Sequence, residues 1–216
     1  MPEPFAVKDC ALIAISTGRH ARNLRELAMH LADVHVGTLY HHFWGGRMQP
    51  SFDEPEFQND FAGWVRHAIH DYELAERLGI LDPTNFPSLE ALRSEMLDLI
   101  DERLGSTDHP QWALADQPFS FIRSQIVIYD THIRITEPKE FRKYAPAFSA
   151  GSVYYHFIDA RRREPVGVDD FRAWLTEFGG EYDFVRARLE AVDPYFRSLS
   201  ALKERLAHIF EECFPE

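Results

Sequence analysis

The segment Val36-Gly-Thr-Leu-Tyr-His-His-Phe43 returns in altered form as Ala150-Gly-Ser-Val-Tyr-Tyr-His-Phe157, and this recurrence decides how the chain is read. The offset is 151 − 37 = 114. Downstream, Asp60-Phe-Ala-Gly-Trp64 returns as Asp170-Phe-Arg-Ala-Trp174, at 170 − 60 = 110. Leu81-Asp-Pro83 matches Val192-Asp-Pro194, and Ser88-Leu-Glu-Ala-Leu-Arg93 matches Ser198-Leu-Ser-Ala-Leu-Lys203. Four blocks in one order predict an internal duplication. The shift of 114 − 110 = 4 puts four extra residues of the first repeat between Phe43 and Asp60. They fall in the Gly45-Gly46 to Pro55 stretch, whose Gly, Pro and polar residues suit a loop.

Each repeat opens on an apolar extended run, Phe5–Ser16 and Phe119–Asp130. Ile126-Val-Ile-Tyr129 has the β-branched and aromatic character of a buried strand, and Cys10–Ile15 reads the same way. Asn23 precedes Glu26 by three residues, a capping pattern. Thr136-Glu-Pro-Lys is its counterpart, with Pro138 acceptable in a first turn. Gly37-Thr38 and Gly151-Ser152 read as caps of a short helix carrying the Tyr and His residues. Asp60 and Asp170 read as N-caps of a longer helix with Phe61, Trp64, Val65 and Ala68 on one face. In the second repeat that helix is expected to break at Gly179-Gly180. Final helices start at Ser88 and Ser198, with Leu89, Leu92, Met96, Leu99 and Ile100 matched by Leu199, Leu202, Leu206, Ile209 and Phe210.

The expected fold is mainly α, or α+β with one strand or small hairpin per repeat. Two homologous repeats, 1–116 and 117–216, are related by a pseudo-two-fold and packed as one compact body. A lone strand cannot satisfy its backbone, so the two strands pair with each other or with another chain. The inter-repeat stretch Gly105–Pro118 carries Trp112 and Leu114 and is expected to pack.

Composition narrows the function classes. The 216 residues hold 23 Lys+Arg against 35 Asp+Glu, a net charge of −12, which disfavours sequence-independent nucleic-acid binding. No apolar run approaches the ~20 residues of a membrane span, and the first residues lack signal-peptide features. Two cysteines, Cys10 and Cys213, stand far apart, which fits a cytoplasmic setting. There is no Gly-rich phosphate loop, dinucleotide fingerprint or nucleophile elbow.

Eleven histidines carry what chemistry there is. His42 and His156 are matched, each two residues after a matched tyrosine, Tyr40 or Tyr154. One reading makes them buried imidazoles bonded to Asp60 and Asp170. The other makes them, with the tyrosines and Asp60 and Asp170, the lining of a ligand groove between the repeats. His67 and His70 share a helix face at i and i+3; with His41, His42 and Asp60 they offer a metal site, or else a solvated face. Arg161-Arg162-Arg163, partly echoed by Arg47, is either a helix-end cation cluster or an anion clamp. Trp64 and Trp174 read as core anchors.

At Gly37-Thr-Leu-Tyr-His-His42, Asn59-Asp-Phe-Ala-Gly-Trp64, Leu74-Ala-Glu-Arg-Leu78 and Leu81-Asp-Pro83 the chain resembles an uncharacterised prokaryotic family, a domain of unknown function. The second repeat is the more degenerate copy, with Asp169 for the Asn and Phe184-Val-Arg-Ala-Arg188 for the Leu-Ala-Glu-Arg stretch. The resemblance implies a stand-alone cytoplasmic protein and brings no activity. The leading expectation is a non-enzymatic module without cofactor that binds a small molecule or protein through the inter-repeat groove, with Arg161 and Arg162 nearby. Oligomers through strand pairing, and no nucleic-acid or membrane partner, complete it. The alternative is a metal-dependent hydrolase or oxidoreductase using the His/Asp set of the first repeat.

Overall fold

The computed structural model describes residues 2–48, 56–106, 114–163, 167–193 and 198–215, the side chains of Arg47 and Met48 excepted. Trp112, Pro194, the Arg47 guanidinium and the extra loop residues up to Pro55 lie outside the described residues. Strands β1 (Phe5–Ala21) and β2 (Phe119–Ile135) form a two-stranded antiparallel sheet. Thr17 Oγ1 donates to Phe121 O and Thr131 Oγ1 to Val7 O, both at 2.6 Å. The chain divides into two compact units whose borders cut through the strands. One comprises Leu12–Gln49 and Pro55–Gln125; the other comprises Met1–Ala11, Pro50–Glu54 and Ile126–Glu216. Each unit therefore holds a stretch of both strands, which a border at 116/117 does not capture.

The first unit contains α1 (Leu24–Asp33), α2 (Gly37–Trp44), α3 (Asp60–Trp64), α4 (Tyr72–Gly79) and α5 (Leu89–Gly105). Asn23 caps α1 by accepting from Glu26 N, while the Glu26 carboxylate takes Arg22 N–H. Ser88 caps α5 through Ala91 N. α1 and α4 pack on α5, burying Leu27, Leu31, Leu74, Leu78, Leu92, Met96 and Ile100 completely. Each such side chain stabilises by about 1.5–3 kcal/mol relative to exposure.

The second unit contains α6 (Phe141–Tyr144), α7 (Ala150–Val153), α8 (Asp170–Thr176), α9 (Asp183–Glu190) and α10 (Leu199–Cys213). Ser198 caps α10 through Ala201 N. Its core is aromatic: Phe141 stacks on Phe210 at 4.6 Å and meets Phe171 edge-on at 5.4 Å.

Several local expectations give way. The caps of α3 and α8 are Asn59 and Asp169, whose side chains accept from Ala62 N and Arg172 N. Asp60 and Asp170 instead occupy the first turn. Thr38 lies inside α2, and Ser149, not Ser152, caps α7. α3 runs only to Trp64 and continues as a π-helical turn, Val65–Ile69, closed by left-handed His70 at φ 61°. α8 ends at Thr176, short of the expected glycine break. The strands are longer than expected and their middles are not buried: Val127, Ile128 and Tyr129 are 41%, 45% and 51% exposed. The helices cover Phe5, Val7 and Cys10 of β1 and Phe119 and Phe121 of β2, so β-branched composition there reflects strand propensity without burial. Leu114, expected to pack, is also exposed.

Candidate functional site

Both units build the same device around the opening residues of a strand. In the first unit, the Trp64 indole N–H donates to Gln117 O at 2.7 Å. Two residues on, Phe119 sits among His42, Phe61 and Trp64, at ring-centroid distances of 4.7, 5.0 and 5.6 Å. Ile122 N–H then donates to His42 Nε2 at 3.2 Å. Finally Ser124 passes so close to α2 that a Cβ on Gly37 would lie 3.0 Å from Ser124 O.

In the second unit, the Trp174 indole N–H donates to Glu3 O at 2.7 Å. Phe5 sits among His156, Phe171 and Trp174 at 4.8, 5.4 and 5.7 Å. Lys8 N–H donates to His156 Nε2 at 2.8 Å. A Cβ on Gly151 would overlap Cys10 O and Asp9 Oδ1. The Gly and His of the recurring sequence block are thus a strand clamp: the glycine admits the strand and the histidine, five residues later, accepts its N–H.

The clamp fixes the tautomer. Nε2 of each ring accepts a main-chain N–H, so the proton of the neutral ring is on Nδ1. From there it is donated to Asp60 Oδ2 at 2.8 Å, or to Asp170 Oδ2 at 2.7 Å. Burial of the two imidazoles is thereby matched by full hydrogen bonding. Both nitrogens of each ring are engaged inside its own unit, and Tyr40 and Tyr154 are buried as well. The imidazoles expected to line a ligand groove have no ring nitrogen left for a ligand.

The arginine run is also engaged. Arg162 and Arg163 contact the buried Asp159 at 2.6 and 3.3 Å, and Arg163 reaches Asp170 at 3.0 Å. Arg161 lies 4.5 Å over the Phe157 ring and donates to Phe157 O. Asp169, fully buried, holds Arg172 at 2.7 Å. These guanidinium groups answer carboxylates of their own unit, Arg161 reaching Asp169 at 3.7 Å.

The five-residue metal set separates. His67 pairs with Glu56 at 3.1 Å and His70 with Asp116 at 2.6 Å, because the π-helical turn and the left-handed His70 take the two rings off a common α-helical face. His41, His42 and Asp60 do come together, each with a ligand atom within 4.8 Å of the others. His42 Nδ1 carries its proton, however, so it supports Asp60 rather than ligating. His41 Nδ1 lies 2.8 Å from Ser124 Oγ. Its pKa is held below the usual imidazole value by burial and by His42, against the pull of Asp60. Cys10, also buried, has its thiol pushed up to about 12 by burial and by Asp159 and Asp9, which disfavours the nucleophilic thiolate.

Sequence reasoning missed Phe5 and Phe119 as parts of the clamp. Their spacing, 119 − 5 = 114, equals that of the Gly–His block and was the available signal.

A family described as a family of unknown function, DUF5752, matches the chain over residues 2–211. Among solved structures, OrfY from Thermoproteus tenax is similar at 27% identity, with a TM-score of 0.80 over 99% of this chain and 97% of that one. No curated protein matches. No helix among the described residues is long and apolar enough to cross a membrane.

Proposed function

We propose, for a chain that belongs to the DUF5752 family, a non-enzymatic role: a binding module in which duplicated clamps hold the scaffold and the outer edge of β2 receives a protein partner. The observation carrying this reading is the run Val127-Ile128-Tyr129, large side chains exposed on both faces of a strand that, among the described residues, is paired along one edge only. Unpaired main-chain groups beside such a run are a template for another extended segment, which adds as a further strand. The engagement of His42, His156 and Arg161–Arg163 with their own unit supports placing recognition on the surface.

A second copy of the chain supplies a segment of the right chemistry, so self-pairing along β2 is the form to test. Sedimentation velocity over a hundredfold concentration range is expected to show reversible association of the wild type, lost in Ile128→Lys. A wild type that stays monomeric throughout, or a variant that associates like it, overturns the reading.

A further inference from the structure

The two clamps differ beside the carboxylate that supports the histidine. In the second unit Asp170 already has a cation: Arg163 Nη2 lies 3.0 Å away, donates to Tyr155 O at 2.9 Å, and its guanidinium covers the Tyr155 ring at 4.3 Å. In the first unit the residue matching Tyr155 is His41 (155 − 41 = 114). The matching carboxylate, Asp60, is 58% exposed. His41 and Asp60 have ligand atoms within 4.8 Å of each other.

We propose that His41 and Asp60 bind one divalent transition-metal cation, which takes beside Asp60 the role that Arg163 takes beside Asp170. The chemistry of the donors fits. Ser124 Oγ lies 2.8 Å from His41 Nδ1, and the tautomer in which it accepts Nδ1–H, the kind of outer contact that orients a ligating imidazole, leaves Nε2 for the ion. The His42 Nδ1–H bond to Oδ2 orients the carboxylate from behind. Imidazole plus carboxylate selects zinc, nickel or cobalt over calcium or magnesium. With two protein ligands and a solvent-facing carboxylate, waters fill the remaining positions and the site is open. The site does not depend on pairing along β2, and its test reads neither association nor activity.

The experiment is calorimetric titration of the tag-free full chain with zinc, repeated with cobalt by visible absorption. One ion per chain is expected. His41→Tyr, which installs the residue of the other clamp, and Asp60→Asn, which keeps an acceptor for His42, should each weaken binding tenfold or more. His67→Gln and His70→Gln should leave it unchanged. His41→Gln replaces His41→Tyr if circular dichroism shows that the tyrosine variant is unfolded. Absence of zinc binding, binding that survives the His41 and Asp60 substitutions, or loss in the His67 or His70 variants overturns the proposal.

Discussion

The two units hold their strands with the same parts and surround those parts with different chemistry. Trp, Phe, His and Gly recur with matching contacts: 2.7 Å at both indoles, 4.7 and 4.8 Å between Phe and His rings. Around them, the second unit places Asp169 against Arg172, where the first has Asn59 bonded to Leu78 O at 2.9 Å and Ala62 in the matching place. A buried ion pair in one unit is thus a neutral amide in the other, and the strand lies the same way over both. The difference teaches that shape and main-chain hydrogen bonds set the geometry of the clamp. The charged network is a separate layer, consistent with the small net gain of buried ion pairs over neutral replacements.

Substitutions made in pairs, one per unit, break or sharpen that comparison. The largest losses are expected from Phe5→Ala and Phe119→Ala, each about 3–5 kcal/mol by chemical denaturation, since each empties an aromatic box. Losses that differ by more than ~1 kcal/mol would break the equivalence of the clamps. Next, Asp169→Asn should cost about 3 kcal/mol by removing the buried counter-charge of Arg172, and Asp169→Asn with Arg172→Ala should recover part of it, as the neutral unit suggests. Gly151→Ala, whose Cβ meets main chain, should cost about 1–3 kcal/mol. Gly37→Ala, at 3.0 Å, should cost less, and the reverse order in thermal melts would contradict the closer approach at Gly151. The smallest effect near pH 7 concerns Cys10. A thiol protonated up to about 12 when folded, against 9.0 as its ordinary value, makes stability decline as pH rises through that interval, because the unfolded chain releases the proton first. Cys10→Ser should flatten this part of the pH–stability curve. Alkylation of the native protein at pH 8 should label Cys213 and spare Cys10.

Much of this was legible in the sequence because it is local. Ser88, Ser198 and Asn23 cap the helices they announce, and the His42–Asp60 and His156–Asp170 bonds follow from matched spacing. Misreadings arose where two neighbours have the same competence. Asn59 and Asp60 are both capping residues, and only the backbone angles tell which one stands outside the helix. The His67/His70 face assumed 3.6 residues per turn, and a π-helical turn has no strong sequence mark. The destination of each strand was the least legible feature. The contact of Phe5 with Phe171 spans 171 − 5 = 166 residues, and nothing near Phe5 names that partner.

That long reach has a consequence for synthesis. The strand opening at Phe5 leaves the ribosome long before the helices that receive it, α7 and α8, exist. The first unit likewise waits on Phe119 and Ile122 for its last strand stretch. Neither unit is completed by its own half of the chain as it emerges, so packing comes late and a chain stalled near residue 116 exposes an empty aromatic box in its first half. The crossing of each strand opening into the other half ties both halves of the chain to a common folding deadline.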